Sequence, residues 1–277
     1  RDLFRRPPSP RTGERHCDIM VWLLALLFFV TALLYAAAGF GGGSTYNALL
    51  VVYGTDYTIL PVIALICNII VVAGGVVTFH RHGHLNAARL APYLAASIPA
   101  AWLGGRLPVP EALFVGLLGL LLVANSLAMI VTRGVPNNAA ATMPQTKGFD
   151  MRLAAIAMAI GFLAGLVGIG GGIFLAPVLY RLNWGSPKAI AASASLFILM
   201  NSAAGLFGQL MKAPLADIMD GLSSYLYLFP AVALGGLSGS LLANRVLPGT
   251  IIRQLTALLL FYVGARLLWR WVQMMAA

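Results

Sequence analysis

The sequence predicts an all-α polytopic membrane protein with about eight membrane segments in two four-segment repeats. Two observations carry this prediction. The chain of 277 residues is 60% hydrophobic and only 9% charged, whereas soluble domains carry about 25% charged residues. A glycine-rich motif, GFGGG at 39–43, returns as GIGGG at 168–172. The first observation places the chain in a membrane, and the second divides it into two related halves.

Eight apolar stretches make up most of the chain, and a spanning helix needs about 20 such residues. Seven of them contain no charged residue, whereas the eighth carries Arg266 and Arg270 near its end. The stretches cover residues 19–55, 57–79, 90–105, 112–132, 153–180, 189–211, 221–244 and roughly 250–275. This pattern leaves essentially no room for a soluble domain.

Further matches support the division into two halves. Asn68 in ICNII corresponds to Asn201 in ILMNSAAG, and Pro99 in IPAAWLGG corresponds to Pro230 in FPAVALGG. The separation is 129 residues at the glycine motif and 133 and 131 at these two matches, a drift that loop insertions produce. The predicted organisation is a polar, basic N-terminal tail at 1–18, a first transmembrane repeat at 19–132, a linker at 133–150 and a second transmembrane repeat at 151–277.

Loop charges indicate that the two repeats have opposite orientations. The loop after the first segment carries Asp56 in the first half, but Arg181 and Lys188 in the second. The basic excess changes sides in the other loop pairs as well, and cytoplasmic loops tend to be the basic ones. We therefore expect inverted repeats. Since four full crossings cannot invert a repeat, the Gly-broken first segment of each half is expected to turn back as a re-entrant hairpin.

The net charge of +10 indicates contact with lipid rather than with nucleic acid. The basic residues punctuate the apolar stretches, where they would anchor the chain to anionic headgroups of the lipid bilayer. Arg266 lies beside Trp269 and Arg270, a combination typical of an interfacial belt with snorkelling arginines. The histidines of FHRHGH have no nearby carboxylate, so a solvated loop is favoured over a metal site, and we expect no cofactor.

The glycine motifs predict breaks in helices that would otherwise cross the membrane. Glycine costs about 1 kcal/mol relative to alanine inside a helix, and unsatisfied backbone groups are expensive in a bilayer. A helix restarting after the break presents N–H groups without intrahelical partners, and such a terminus favours anions. Paired glycine-interrupted segments in two halves also point to a transporter binding site. We therefore expect a small anionic substrate, although glycines that only let helices pack closely are the alternative.

The candidate substrate-binding residues are the two glycine clusters and the polar residues near them. Asn68 and Asn201 either donate N–H groups to a ligand or hold the unwound backbone, and the sequence leaves both roles open. Serines in membrane helices often bond to their own backbone, which is the alternative role for Ser195. The full set is Gly39, Gly41, Gly42, Gly43, Ser44, Asn47, Asn68, Gly168, Gly170, Gly171, Gly172, Ser195 and Asn201.

The membrane segments lack the residues that several other functions need. All eight carboxylates lie in the tail or at segment boundaries, whereas cation pumps and sodium symporters usually use an intramembrane acid. The sequence has no catalytic Ser/His/Asp set and no phosphate-binding Walker loop. We therefore expect a secondary carrier, and neither an enzyme nor an ATP-driven pump.

The chain carries a family resemblance from about residue 20 to 272, and the second half matches better. GFLAGLVGIGGGIFLAPVL at 161–179, KAIAASASLFILMNSAAG at 188–205 and PAVALGGLSGSLLANRV at 230–246 resemble the TauE/SafE family of sulfite and organosulfonate transporters. The resemblance implies a multi-pass carrier of the bacterial inner membrane that exports sulfite or a sulfonate such as sulfoacetate. The first repeat departs from the pattern, because Asn47-Ala48 stands where the second repeat has Ala176-Pro177.

Two alternatives remain open at this level. The first is uptake of another small organic or inorganic anion, because no spacing in the sequence specifies sulfur. The second is a membrane scaffold that transports nothing. The identity of the anion, the coupling ion and the oligomeric state are not encoded in any motif of the chain.

Overall fold

The chain forms a helical protein in the computed structural model. The structure describes residues 12–131, 150–182, 184–242 and 249–276, and these ranges contain no strand. The predicted linker therefore lies outside the described residues except for Asp150, as do residues 1–11 of the predicted tail. The helices of the described ranges are α1 (Thr12–Ala38), α2 (Gly43–Tyr53), α3 (Leu60–Arg81), α4 (Ala87–Arg106), α5 (Glu111–Val131), α6 (Met151–Val167), α7 (Gly172–Arg181), α8 (Pro187–Leu210), α9 (Leu215–Ser223), α10 (Leu228–Leu242) and α11 (Gly249–Ala276).

Several of these helices are long and apolar enough to cross a membrane. Four meet that description in the described part of the chain, namely Met20–Ala37, Leu60–Arg81, Glu111–Ala128 and Lys188–Leu210. A fifth span is formed if α9 and α10, which meet at 71°, are taken together. The prediction of an all-α polytopic membrane protein is thus confirmed for the described residues, while the eight segments and the inverted repeats stay predictions.

The helices pack in reciprocal pairs. The most extensive contacts join α4 to α6, α1 to α10, α5 to α11, α4 to α8, and α3 to α8. If α1, α3, α4 and α5 are exchanged with α6, α8, α10 and α11 respectively, the first two pairs exchange with each other. The α5–α11 and α3–α8 pairs map onto themselves, whereas the α4–α8 pair maps onto the less extensive α3–α10 contact. Each of these contacts joins a helix of the predicted first repeat to a helix of the second.

Matched glycines make matching close contacts in this arrangement. A Cβ added to Gly104 on α4 would lie 3.0 Å from the carbonyl carbon of Phe162 on α6. A Cβ added to Gly235 on α10 would lie 3.1 Å from the carbonyl carbon of Phe29 on α1. Small residues allow membrane helices to approach backbone to backbone. The LGG motifs of the two halves thus hold equivalent helix pairs together.

Apolar side chains cover much of the exposed surface. Trp22 on α1 is 74% exposed, Leu241 on α10 is 82% exposed and Leu258 on α11 is 68% exposed. By contrast, the first eight residues of α2, from Gly43 to Leu50, are all buried. In a membrane protein the lipid tails solvate such an exposed apolar surface. The glycine motif that begins α2 therefore lies in the interior, away from the lipid.

Candidate functional site

The first glycine motif ends α1 and begins α2. The chain leaves α1 through Gly39, whose φ of 76° is left-handed, and Phe40 N donates to Tyr35 O at 2.9 Å. Glycine adopts this conformation without the penalty that other L-residues incur. After Gly42, helix α2 begins at Gly43. The predicted break is therefore present in the first half.

The second motif breaks its segment more sharply. Gly168, Gly170 and Gly171 have φ values of 80°, 80° and 76°, and α7 begins at Gly172. Three left-handed residues within four positions require glycine, because each would be strained with any other L side chain. This geometry explains why consecutive glycines, rather than alternating small residues, occupy this stretch.

The two breaks contact each other in the interior. A Cβ added to Gly43 would lie 2.5 Å from Ile169 O, between the glycines of the second break. Asn68 of α3 lies between them. Its Oδ1 lies 2.7 Å from the Cβ position of Gly41, and its Nδ2 lies 2.8 Å from that of Gly170. The fold thus joins the two glycine motifs, 129 residues apart in sequence, into one site.

Side chains of each predicted half donate hydrogen bonds to backbone carbonyls at the glycine break of the other half. Asn68 Nδ2 donates to Ile169 O at 3.2 Å, and Asn47 Nδ2 donates to Val167 O at 2.9 Å. In the opposite direction, Ser195 Oγ on α8 donates to Gly39 O and is also placed to donate to Ala191 O at 2.9 Å. These donors compensate backbone carbonyls that the broken helices leave without partners.

The same arrangement leaves N–H groups at the helix starts. The first backbone bond of α2 runs from Tyr46 N to Gly42 O at 2.8 Å, so the N–H groups of Gly43 to Thr45 precede it. In α7 the first bonds run from Phe174 N and Leu175 N to Gly171 O. Each helix start carries the partial positive charge of its macrodipole. Since carbonyls are held by side chains, backbone N–H groups are the donors that remain for an anion.

Several buried side-chain oxygens of the described residues have no hydrogen-bond partner, among them Asn47 Oδ1 and Asn201 Oδ1. Two others, Asn68 Oδ1 and Ser202 Oγ, lie against glycines of the breaks, and both residues are 0% exposed. Ser202 Oγ lies 3.0 Å from the Cβ position of Gly170. A buried polar group without a partner is rare and calls for an explanation, such as a ligand. Ser202 was not among the predicted site residues, although it follows Asn201 in the sequence.

Other predicted residues lie at the edge of this site. Asn201 Nδ2 donates to Phe197 O of its own helix at 2.8 Å, and its Oδ1 lies 3.0 Å from the Cβ position of Gly161 on α6. Ser44 Oγ accepts a bond of 3.2 Å from Asn125 Nδ2 on α5. Asn125 was also missed by the sequence analysis, where its only signal is an amide within an apolar stretch.

A separate cleft lies at the other end of α2. It has a volume of about 220 Å³, and its lining includes Val51, Leu60 and Phe114. At its edge Arg270 Nη2 on α11 contacts Glu111 Oε1 on α5 at 2.8 Å, with the side chains 58% and 38% exposed. This ion pair connects the two predicted repeats at a distance from the glycine breaks.

Metal chemistry has no candidate site in the described ranges, since no three His, Cys, Asp or Glu residues there are grouped to hold an ion. Of the three histidines predicted to lie in a loop, His80 belongs to the last turn of α3, whereas His82 and His84 follow the helix. His82 Nδ1 lies 2.8 Å from Thr78 O, and this contact is exposed. The polar site at the glycine breaks is therefore built from amides, hydroxyls and backbone.

Comparison with known proteins shows the family to which the chain belongs. The family described as "Sulfite exporter TauE/SafE" matches residues 24–267. The probable membrane transporter protein y4hK of Sinorhizobium fredii is 35% identical over 247 residues, which cover 89% of this chain and 97% of that protein. The probable membrane transporter protein YunE of Bacillus subtilis is 30% identical over 118 residues, 42% of this chain and 40% of that protein. No solved structure matches. The chain therefore belongs to the TauE/SafE family of membrane transporters.

Proposed function

We propose that this membrane transporter is a secondary carrier of small anions that exports sulfite or an organosulfonate such as sulfoacetate. The single observation that carries the anion assignment is the contact of the two glycine breaks in the buried interior. At this contact the Cβ position of Gly43, the first residue of α2, lies 2.5 Å from Ile169 O. The start of α2 meets the break that leads into α7, and helix N-termini favour a negative charge. The described part of α2, α3, α7 and α8 offers no acidic side chain that would oppose one.

The transport cycle is proposed to be alternating access between two repeats. In this proposal residues 19–132 and 151–277 form inverted four-segment repeats, with the α1–α2 and α6–α7 breaks as their broken or re-entrant segments. The reciprocal packing of α4 on α6 and of α1 on α10 supports a two-fold relation between the halves. Rocking of one half against the other would expose the breaks to each side in turn.

The residues in the proposed site have two kinds of role. Backbone N–H groups at the starts of α2 and α7 bind the anion, because side-chain carbons do not block approach to glycine. Asn47 and Ser195 hold break carbonyls through the hydrogen bonds described above, and Asn68 both holds a carbonyl and faces the site. Asn201 and Ser44 support the neighbouring helices. The proposed location is the bacterial inner membrane.

Flux into proteoliposomes tests the proposal. The purified protein is reconstituted, and uptake of sulfite, sulfoacetate and acetate is compared at equal concentration with and without an imposed membrane potential. We expect saturable flux of sulfite or sulfoacetate above protein-free liposomes, and acetate flux at the background level. Preference for acetate would reassign the substrate class. Absence of flux for every anion, from a protein that elutes as a single folded species, would contradict the carrier assignment.

A further inference from the structure

Asn68 presents a hydrogen-bond acceptor, not only a donor, to the site. Its Nδ2 donates to Ile169 O at 3.2 Å, which fixes the amide orientation, because the flipped amide would place two oxygens against each other. Oδ1 therefore lies on the side of Gly41, 2.7 Å from its Cβ position. It has no partner among the described residues. A deprotonated oxyanion, which has only acceptor atoms, cannot satisfy this oxygen.

Ser202 Oγ is a second unpartnered oxygen, and it lies at the second break, near the amide nitrogen of Asn68. The Cβ position of Gly170 lies 3.0 Å from Ser202 Oγ and 2.8 Å from Asn68 Nδ2. Both side chains are 0% exposed, and a buried polar oxygen without a partner is unfavourable. Asn68 and Ser202 belong to different predicted repeats. The site thus combines backbone donors, which suit an anionic group, with side-chain oxygens that can accept a proton-bearing group.

We propose that the transported anion carries its own hydrogen-bond donor, an O–H or N–H group, that Asn68 Oδ1 receives it, and that the Ser202 hydroxyl, which can donate or accept, binds the same ligand. This inference rests on the proposed anion transport and narrows its substrate class. Hydroxyl-bearing sulfonates and a singly protonated oxyanion such as hydrogen sulfite fit the class, whereas a simple alkanesulfonate of the same size and fully deprotonated sulfoacetate do not. The anionic group takes the N–H donors at the starts of α2 and α7.

The contact between the breaks sets when these oxygens become accessible. Gly43 has no room for a methyl group, because its Cβ position is 2.5 Å from Ile169 O. The oxygens of Asn68 and Ser202 are closed to solvent in this conformation. A ligand therefore reaches them only when the two halves separate at the breaks, as alternating access requires. When the halves close again, a hydrogen bond donated by the ligand gives these buried oxygens the partner that they otherwise lack.

The test compares two sulfonates that differ in one hydroxyl group. Flux of 2-hydroxyethanesulfonate and of ethanesulfonate is measured in proteoliposomes with the full chain. Because one hydrogen bond to a buried acceptor separates the two ligands, we expect the hydroxyl-bearing sulfonate to have a KM lower by about tenfold. Equal KM values for the two sulfonates would overturn the inference while leaving anion transport intact. No flux of either sulfonate or of sulfite would remove the proposed function itself.

Variants separate ligand recognition from folding. Ser202→Ala is expected to reduce the preference for the hydroxyl-bearing sulfonate severalfold without abolishing ethanesulfonate flux, and Asn68→Leu is expected to abolish the preference if it folds. Ser126→Ala is the matched control, because Ser126 Oγ is buried but donates to Ala257 O at 2.7 Å between α5 and α11. An unchanged preference in Ser202→Ala, or an equal loss in Ser126→Ala, would contradict the assignment of the acceptors.

Discussion

Replacing Gly43 with alanine perturbs the contact between the two glycine breaks with a single added carbon. The added Cβ would lie 2.5 Å from Ile169 O and would also overlap Asn68 Nδ2, whereas real Cβ contacts begin at about 3.0 Å. The backbone of Gly43 does not have a positive φ, so alanine adds no dihedral strain. To accept the methyl group, the Ile169 carbonyl has to move and weaken its bond from Asn68.

The expected destabilisation follows from three terms. Overpacking of a tight interior costs about 1–3 kcal/mol, and loss of the Asn68–Ile169 hydrogen bond adds about 0.5–1.5 kcal/mol. Alanine recovers up to about 1 kcal/mol of helix propensity. The net destabilisation is about 0.5–4.5 kcal/mol, or a Tm lower by several degrees for a chain of this size. The same displacement separates the breaks, so anion flux is expected to fall as well.

The assay is thermal unfolding in detergent together with anion flux in proteoliposomes, and Gly74→Ala is the control. Gly74 lies within α3, and a Cβ there would meet no atom within 4 Å, so the same substitution is expected to be neutral or slightly stabilising. If Gly43→Ala kept both the Tm and the flux of the unsubstituted protein, the contact between the breaks would not exist in the working transporter. Equal losses in both variants would contradict the steric reasoning.

Three further substitutions test other contacts. Gly165→Ala should destabilise the α4–α6 pair by more than about 2 kcal/mol, because its Cβ would lie 2.7 Å from the carbonyl carbon of Ala101; the fraction of folded protein on size exclusion measures this. Asn47→Leu should lower thermal stability by about 1–3 kcal/mol, since it leaves a buried carbonyl at the end of α6 unpaired. Glu111→Gln should change the Tm by an amount equivalent to less than about 1 kcal/mol, because an exposed ion pair with Arg270 contributes little. A larger fall in Tm would give that pair a structural role.

The glycine breaks could be predicted residue by residue because no other structure fits their sequence. An apolar stretch with Gly168 and Gly170–Gly172 cannot continue as a regular helix at low cost, and three of those glycines do adopt positive φ. The LGG motifs could be predicted to match for a similar reason. Gly104 and Gly235 tolerate no side chain where a neighbouring backbone passes. Both predictions follow from the lack of a side chain in glycine, without knowledge of the rest of the fold.

The polar partners could not be predicted in the same way. Matching by residue type paired Asn68 with Asn201, but the polar side chain of α8 that lies against Gly170 is that of Ser202. Neighbouring residues on a helix point about 100° apart, so a shift of one position changes the partner helix. Asn201 consequently faces Gly161 on α6. The face of α8 that packs on the breaks is determined by the whole fold. An internal sequence match therefore does not predict which α8 side chains reach the breaks.

Hydropathy predicts which residues lie in the membrane, but not how those residues divide into helices. The apolar stretch at 153–180 contains two helices, α6 and α7, because the glycines divide it. The stretch at 19–55 is divided in the same way into α1 and α2. An apolar stretch counts as one segment in the sequence whether it crosses the membrane or turns back. The number of crossings is therefore set by the direction of the chain at each break.

Locating a bound anion tests the central claim most directly. Selenite is a pyramidal oxyanion like sulfite, and its selenium gives an anomalous diffraction signal in crystals of the full chain. The account predicts one anomalous peak where the start of α2 meets the break before α7, with the selenite oxygens within hydrogen-bond distance of N–H groups in Gly43–Thr45 or Gly172–Ile173. A peak at Arg270 in the cleft with none at the glycine breaks would contradict it.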